Sequence, residues 1–217
     1  PLSLSINSVN FLKEKNIWDE NLIKSNLIES LYIKLFNSFN TVKISTSDIN
    51  LESIGQVVDK ASFLSYLRNL SKKNKNIDVI DNTELDIKQM ESLSKIYLPN
   101  ESETIDFGQL IVTDGANSKF AEKLNIPYKN INYDQTSYIF NGEYDSIEKS
   151  TAQIFTGKGV FAVLPGNGNK KSIVATIHNQ FIDDFKFESN TIDKNLLERQ
   201  LLPYVKNLKN LKLIYKH

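Results

Sequence analysis

The sequence predicts a mixed α/β fold in which an antiparallel β-sheet is inserted into an α/β domain. Three observations carry this. Apolar runs alternate with amphipathic helical segments up to about residue 126. From Tyr128 onward, short alternating segments are separated by glycine-rich turns. The two textures interleave along the chain, and interleaving points to insertion of one domain into the other.

The elements follow in order. Residues 5–20 read as a helix, with Ile6, Val9 and Leu12 near a 3.6-residue period and Ser5 or Asn7 as the cap. Residues 31–36 and 53–58 alternate as strands, and the Ser/Thr/Asn-rich stretch 37–50 between them reads as turns. Residues 61–70 place Phe63, Leu64, Leu67 and Leu70 on one helix face. Residues 77–80 read as a strand and 85–97 as a pair of strands. The apolar burst 107–113 is short and ends in Asp-Gly, so it reads as a buried, parallel strand, with a helix over 118–124 behind it. Segments 137–142, 151–155, 160–164 and 172–177 read as an antiparallel sheet, with Gly166-Asn-Gly-Asn as a hairpin turn. A last helix is expected within 191–207, broken at Pro203.

Composition narrows the function classes. The 217 residues suffice for one large domain or two small ones. With 26 basic and 26 acidic residues, net charge is zero, which gives no support to nucleic-acid binding. There is no cysteine, so disulfides, thiolate catalysis and cysteine zinc sites are excluded. The absence fits a cytoplasmic protein. No apolar run approaches the ~20 residues that span a bilayer. The chain opens on Pro1, which suggests a start inside a longer reading frame.

Candidate chemistry centres on residues 110–127. A strand would deliver Asp114 and Gly115 to its carboxyl end, where open α/β sheets bind ligands. Gly115 permits close approach of a ligand, and Asn117 or Ser118 can cap the next helix, whose N-terminus favours a phosphate. A strand–Asp-Gly–helix turn also arises for purely local reasons. Other polar residues read as structural. His178 lacks a second ligand at a recognisable spacing, and Asp183-Asp184 lacks metal partners, so no metal site is expected. Trp18 reads as a core or interface anchor, and the lysines of 72–75 as a solvated face.

The wider pattern resembles a known family. The strand, the Asp114-Gly-x-x-Ser118 turn and the helix closing on Asn125-Ile-Pro127 resemble the second flavin fingerprint of the para-hydroxybenzoate-hydroxylase-like monooxygenases. Three further blocks are similar to the ubiquinone-biosynthesis hydroxylase subgroup. They are Leu2-Ser-Leu-Ser with Ser8 and Ile17-Trp18, then Gly55-Gln-Val-Val-Asp59, then Gly157-Lys-Gly-Val-Phe-Ala-Val-Leu-Pro165 with Ser172-Ile-Val-Ala-Thr. All four occur in the family's order.

The resemblance implies a partial, Rossmann-like FAD-binding domain over 1–27 and 59–126. It implies an antiparallel substrate domain over 28–58 and 127–190, with a helical tail over 191–217. It implies FAD and NAD(P)H as cofactors and hydroxylation of a polyprenylated phenol through a flavin hydroperoxide. Asp114 and Gly115 would contact the flavin's ribityl or pyrophosphate region, Ser118 would support the turn, and Pro165 would face the substrate cavity. Work on such a substrate implies a cytoplasmic protein peripheral to the inner membrane, beside other ubiquinone-biosynthesis proteins. The sequence departs from the family at three points. It has no Gly-x-Gly-x-x-Gly loop, nothing after Ile177 resembles the family's closing Gly-Asp segment, and Ala121 stands where the fingerprint carries arginine. The chain therefore looks like a central portion holding half of a flavin site. A non-catalytic remnant of the scaffold and a reductase or halogenase on the same fold are the alternatives.

Overall fold

The structure is a computed structural model that describes residues 1–81, 95–97, 104–143, 149–166, 168–185 and 209–216. Its contacts divide the chain into two compact units. One comprises residues 1–73 and 133–217, and the other residues 74–132.

The larger unit holds two sheets. The smaller sheet has the order β1-β5-β2, from β1 (Leu2–Ser5), β2 (Ser25–Ile28) and β5 (Gly55–Val58), all antiparallel. Central β5 is buried along its whole length, as its Gly-Gln-Val-Val composition allows. Helix α1 (Ile6–Glu14) follows β1 directly, and Ser5 caps it by accepting from the Ser8 amide at 3.2 Å. The helix is shorter than the sequence suggested. Asn16 adopts φ 55°, and that left-handed residue stops it before Ile17. Helix α3 (Lys60–Lys73) starts at Asp59, which accepts from the Ser62 amide at 2.9 Å. Val9, Trp18, Ile23, Val58 and Phe63 form the core between these helices and the sheet. Trp18 packs at 6.0 Å from the Phe63 ring and so serves as a core anchor.

The larger sheet has seven strands in the order β12-β8-β11-β10-β9-β3-β4. They are β3 (Ser30–Leu35), β4 (Thr41–Ser45), β8 (Gln135–Glu143), β9 (Ser150–Thr156), β10 (Gly159–Pro165), β11 (Lys170–His178) and β12 (Lys209–Lys216). All neighbours pair antiparallel except β3 with β9, which are parallel. Strand alternation sends Tyr138, Phe140, Ile154, Phe161, Val163, Ile173, Ala175 and Ile177 to one face, where they form the main core with Phe185. Phe185 closes a 3-10 segment, Asn179–Phe185, and its ring lies 5.8 Å from Phe161.

Besides the shorter α1, four expectations need correction. The stretch 37–50 is not all turn, because Thr41–Ser45 pairs with β3 and a short helix α2 (Thr46–Ile49) follows. There Asp48 accepts from the Ser45 amide at 2.7 Å in a capping box, so its Ser/Thr/Asn content served a helix start. Residues 77–80 form no strand, and Ile77 closes a turn onto Asn74. Over Lys209–Lys216 the expected helical tail is instead strand β12, paired with β8. Residues 191–208, including the Pro203 break, lie outside the described residues, as do 85–94 of the expected strand pair.

The fourth correction falls in the smaller unit. It contains the antiparallel pair β6 (Lys95–Tyr97) and β7 (Thr104–Asp106), and the helix α4 (Lys119–Lys123). Residues 107–113 are not a buried parallel strand. They form no ladder, and Ile111 is 73% exposed. An apolar run becomes a strand only where a neighbouring strand accepts its backbone hydrogen bonds. None does so here among the described residues.

The β9–β10 hairpin provides a direct test of the large sheet. A Cβ on Gly159 would lie 2.1 Å from the Thr176 carbonyl oxygen, a backbone atom with no room to yield. Gly159→Ala is expected to destabilise the larger unit by about 2 kcal/mol or more, the scale of overpacking in a tight interior. A urea midpoint equal to that of the parent would contradict this packing.

Candidate functional site

Asp114, Gly115 and Ser118 come together within a single turn of the smaller unit. Ser118 is the N-cap of α4, in extended conformation, and its Oγ accepts from the Ala121 amide at 2.9 Å. Gly115 has φ +98°, a conformation that favours glycine, and nothing lies within 4 Å of where its Cβ would be. Asp114 is exposed. Its carboxyl is held below the usual carboxylate range, chiefly by the Ser118 hydroxyl. Burial opposes this, and the backbone amides of Asp114, Phe120 and Lys119 add smaller lowering contributions.

These contacts decide what the turn can hold. The Ala121 amide of α4 already serves Ser118, and the ionised carboxylate of Asp114 stands beside this helix start. What faces solvent is an ionised carboxylate beside the open space at Gly115. That arrangement fits a hydroxyl-bearing chain, such as the ribityl stretch of FAD, whose hydroxyls would donate to Asp114.

Pro165 lies in the other unit. It ends β10, buried on the core face that also carries Phe161 and Val163, opposite Lys171 of β11. The next residue, Gly166, lines a cleft of about 170 Å³ between the two sheets of the larger unit. Asn26, Asp59, Asn141, Lys170 and Ser172 line it too, and the Ser172 hydroxyl donates to Asn141 Oδ1 at 2.6 Å. Sequence reasoning missed these polar residues. Their signal was strand parity: Asn141 and Ser172 are direct partners on the face opposite the core.

The remaining polar candidates are structural. His178 ends β11 with Nδ1 3.3 Å from Gln135 Nε2, and Asp184 pairs with Lys158 at 2.7 Å. No cluster of three metal-ligating side chains occurs among the described residues. No helix among the described residues is long and apolar enough to cross a membrane.

Comparison with known proteins gives the context. No protein-family model matches the chain. Over 172 residues it is 27% identical to the ubiquinone biosynthesis monooxygenase COQ6, mitochondrial, of Caenorhabditis elegans, covering 76% of this chain and 38% of that protein. Among solved structures it resembles PqsL of Pseudomonas aeruginosa, described as a probable FAD-dependent monooxygenase. The TM-score is 0.67 at 11% identity, over 98% of this chain and 62% of that one. The chain has the fold of the FAD-dependent monooxygenases. A third likeness is to 2-methyl-3-hydroxypyridine-5-carboxylic acid oxygenase, with TM-score 0.68 and 13% identity over 99% of this chain and 59% of the oxygenase. Within that fold, the sequence likeness is to the ubiquinone-biosynthesis subgroup, as the four motif blocks implied.

The turn makes a prediction about protonation. The depressed pKa of Asp114 means that its stabilising interaction is fully present above the ordinary carboxylate value. It is lost only as pH falls through the lower folded value. Ser118→Ala removes the largest cause, so the Asp114 carboxyl resonance should titrate at higher pH than in the parent. An unchanged titration would show that Ser118 does not hold this carboxylate.

Proposed function

We propose that the chain is part of an FAD-dependent aromatic-ring hydroxylase acting on a polyprenylated phenol, with NAD(P)H as reductant. The observation that carries this reading is a fold match over nearly the whole chain to FAD-dependent monooxygenases, joined to a sequence likeness to a ubiquinone-biosynthesis monooxygenase. The chain spans 38% of that relative's length. Flavin, when bound, supplies the oxygen chemistry. The work of this chain's residues is to bind, orient and exclude water.

In this reading Asp114 accepts from ribityl hydroxyls, and Gly115 leaves room for the cofactor's close approach. Ser118 donates to the carboxylate and caps α4, which keeps the turn in place. The residues expected for the pyrophosphate are a Gly-x-Gly-x-x-Gly loop, which these 217 do not contain, and an arginine at the fingerprint position held here by Ala121. Flavin affinity of the chain by itself is therefore modest, and the Asp114 turn dominates what there is. The division into a partial FAD-binding part (1–27 and 59–126) and a substrate part (28–58 and 127–190) belongs to the same proposal. So do placement at an inner-membrane surface and work beside other ubiquinone-biosynthesis proteins.

Titrating FAD against the chain, read by quenching of flavin fluorescence, tests this. Saturable quenching is expected, weakened about tenfold by Asp114→Ala, the loss of one charge-assisted hydrogen bond. No quenching at all, or quenching indifferent to Asp114→Ala, would contradict the assigned site.

A further inference from the structure

The turn between β3 and β4 carries apolar side chains that neither the core nor the flavin turn uses. Phe39, in that turn, is fully exposed, and Leu35, Val42 and Phe155 near it are 59%, 57% and 41% exposed. Register gathers them at one corner of the large sheet. Leu35 ends β3 as the partner of Phe155 on β9, and Val42 of β4 is the partner of Ile33. From residue 30 to residue 47 the only charged side chains are Lys34 and Lys43. Both belong to this hairpin, and Lys43 lies over the Tyr32 ring at 5.6 Å. Acidic residues stand elsewhere. Glu29 and Asp48 lie at the other end of the hairpin, before β3 and after β4. On the rim that carries the tip, Asp184 is paired with Lys158 of the β9–β10 turn, while Asp134 and Asp183 lie farther along, before β8 and after β11.

Two observations select what such a tip fits. Its amides are largely spent within the chain. Phe36 donates to the Phe155 carbonyl at 2.8 Å, Ser38 to the Leu35 carbonyl at 3.0 Å, and Asn40 to Ser38 Oγ at 3.1 Å. A protein partner ordinarily finds about one hydrogen bond per 100–200 Å² of interface, and these amides are not on offer. A segment that enters the edge of a bilayer needs its backbone groups satisfied in this way. The charge on the hairpin is also of one sign. Lysine stems lie along apolar surface and carry their ammonium groups outward, where anionic headgroups attract them.

We propose that the β3–β4 tip is a shallow anchor for an anionic lipid surface. Phe39 enters the boundary between headgroups and acyl chains, with Leu35, Val42 and Phe155 behind it and Lys34 and Lys43 among the phosphates. Insertion is shallow because β4 is an edge strand, whose outer backbone groups stay with water and headgroups. The proposed hydroxylase gives the anchor a use, since a polyprenylated phenol partitions into bilayers. The anchor itself rests on the hairpin alone.

Co-sedimentation of the 217-residue chain with vesicles tests this, using phosphatidylcholine mixed with phosphatidylglycerol against phosphatidylcholine alone. The chain should bind the anionic vesicles, and added salt should weaken binding. Phe39→Ser should weaken it about tenfold, the scale of transferring one aromatic side chain. Lys34→Gln with Lys43→Gln should weaken it about tenfold or more at low salt. Phe39→Trp should keep it, because tryptophan suits the membrane interface. Phe39 is fully exposed, so neither change at this position disturbs the fold. The chain has no cysteine, so a fluorophore on Asn40→Cys reports on the tip alone. Its emission should shift to the blue with anionic vesicles, and that of a label on Phe11→Cys, an exposed position on α1, should not. No binding to the anionic vesicles, equal binding to neutral ones, binding indifferent to Phe39→Ser, or a blue shift at position 11 instead of 40 overturns the anchor. So does a chain that dimerises through the tip, becomes monomeric as Phe39→Ser and never sediments with vesicles. FAD is absent from this assay. Vesicle binding without flavin binding leaves the anchor and removes the hydroxylase, and the reverse removes only the anchor.

Discussion

Side-chain alternation on the seven-stranded sheet is the constraint on which the larger unit depends. Six of the seven strands, β3, β4 and β8–β11, pair in continuous register that gives every residue one of two faces, and a slip of one residue would exchange them. On one face Phe140, Phe161, Ile173, Ala175 and Ile177 are fully buried. That burial sets the parity of the other face with no further choice. The aliphatic residues Leu31, Ile33, Val160, Leu164 and Val174 there are half-buried. The hydrophobic effect holds this sheet through its core face.

The candidate flavin turn depends on local chemistry. Asp114, Gly115 and Ser118 span five positions of one segment, and their geometry follows from a helix cap and a positive-φ glycine. Such a site is legible in sequence because all of its parts are neighbours. Its chemistry is less so. The sequence suggested a helix N-terminus that favours phosphate; in the structure Ser118 takes the Ala121 amide and the Asp114 carboxylate is held by the Ser118 hydroxyl.

The legible parts of the fold were those with a strong period. Segments 137–142, 151–155, 160–164 and 172–177 alternate clearly, and each falls within a strand of the sheet. Residues 107–113 misled because a short apolar run looks the same whether it becomes a strand or remains irregular. Its fate depends on a pairing partner, which is tertiary information. Thr41–Ser45 was hidden by small polar residues that also favour turns, and Lys209–Lys216 by the helical pattern ahead of it. The cleft at Asn26, Asp59, Asn141 and Ser172 draws residues from distant segments, and no local motif announces it. Residues far apart in sequence become a site only through the register that joins their strands.

The most direct test of the central claim is the fate of dioxygen. A protein containing this chain, supplied with FAD, NAD(P)H and a prenylated phenol, should place one oxygen atom from isotopically labelled dioxygen on the aromatic ring and release the other as water. Asp114→Ala should reduce that incorporation in step with flavin loss. NAD(P)H oxidation that leaves the ring unlabelled, or a modified ring whose added atom comes from water, would contradict the account.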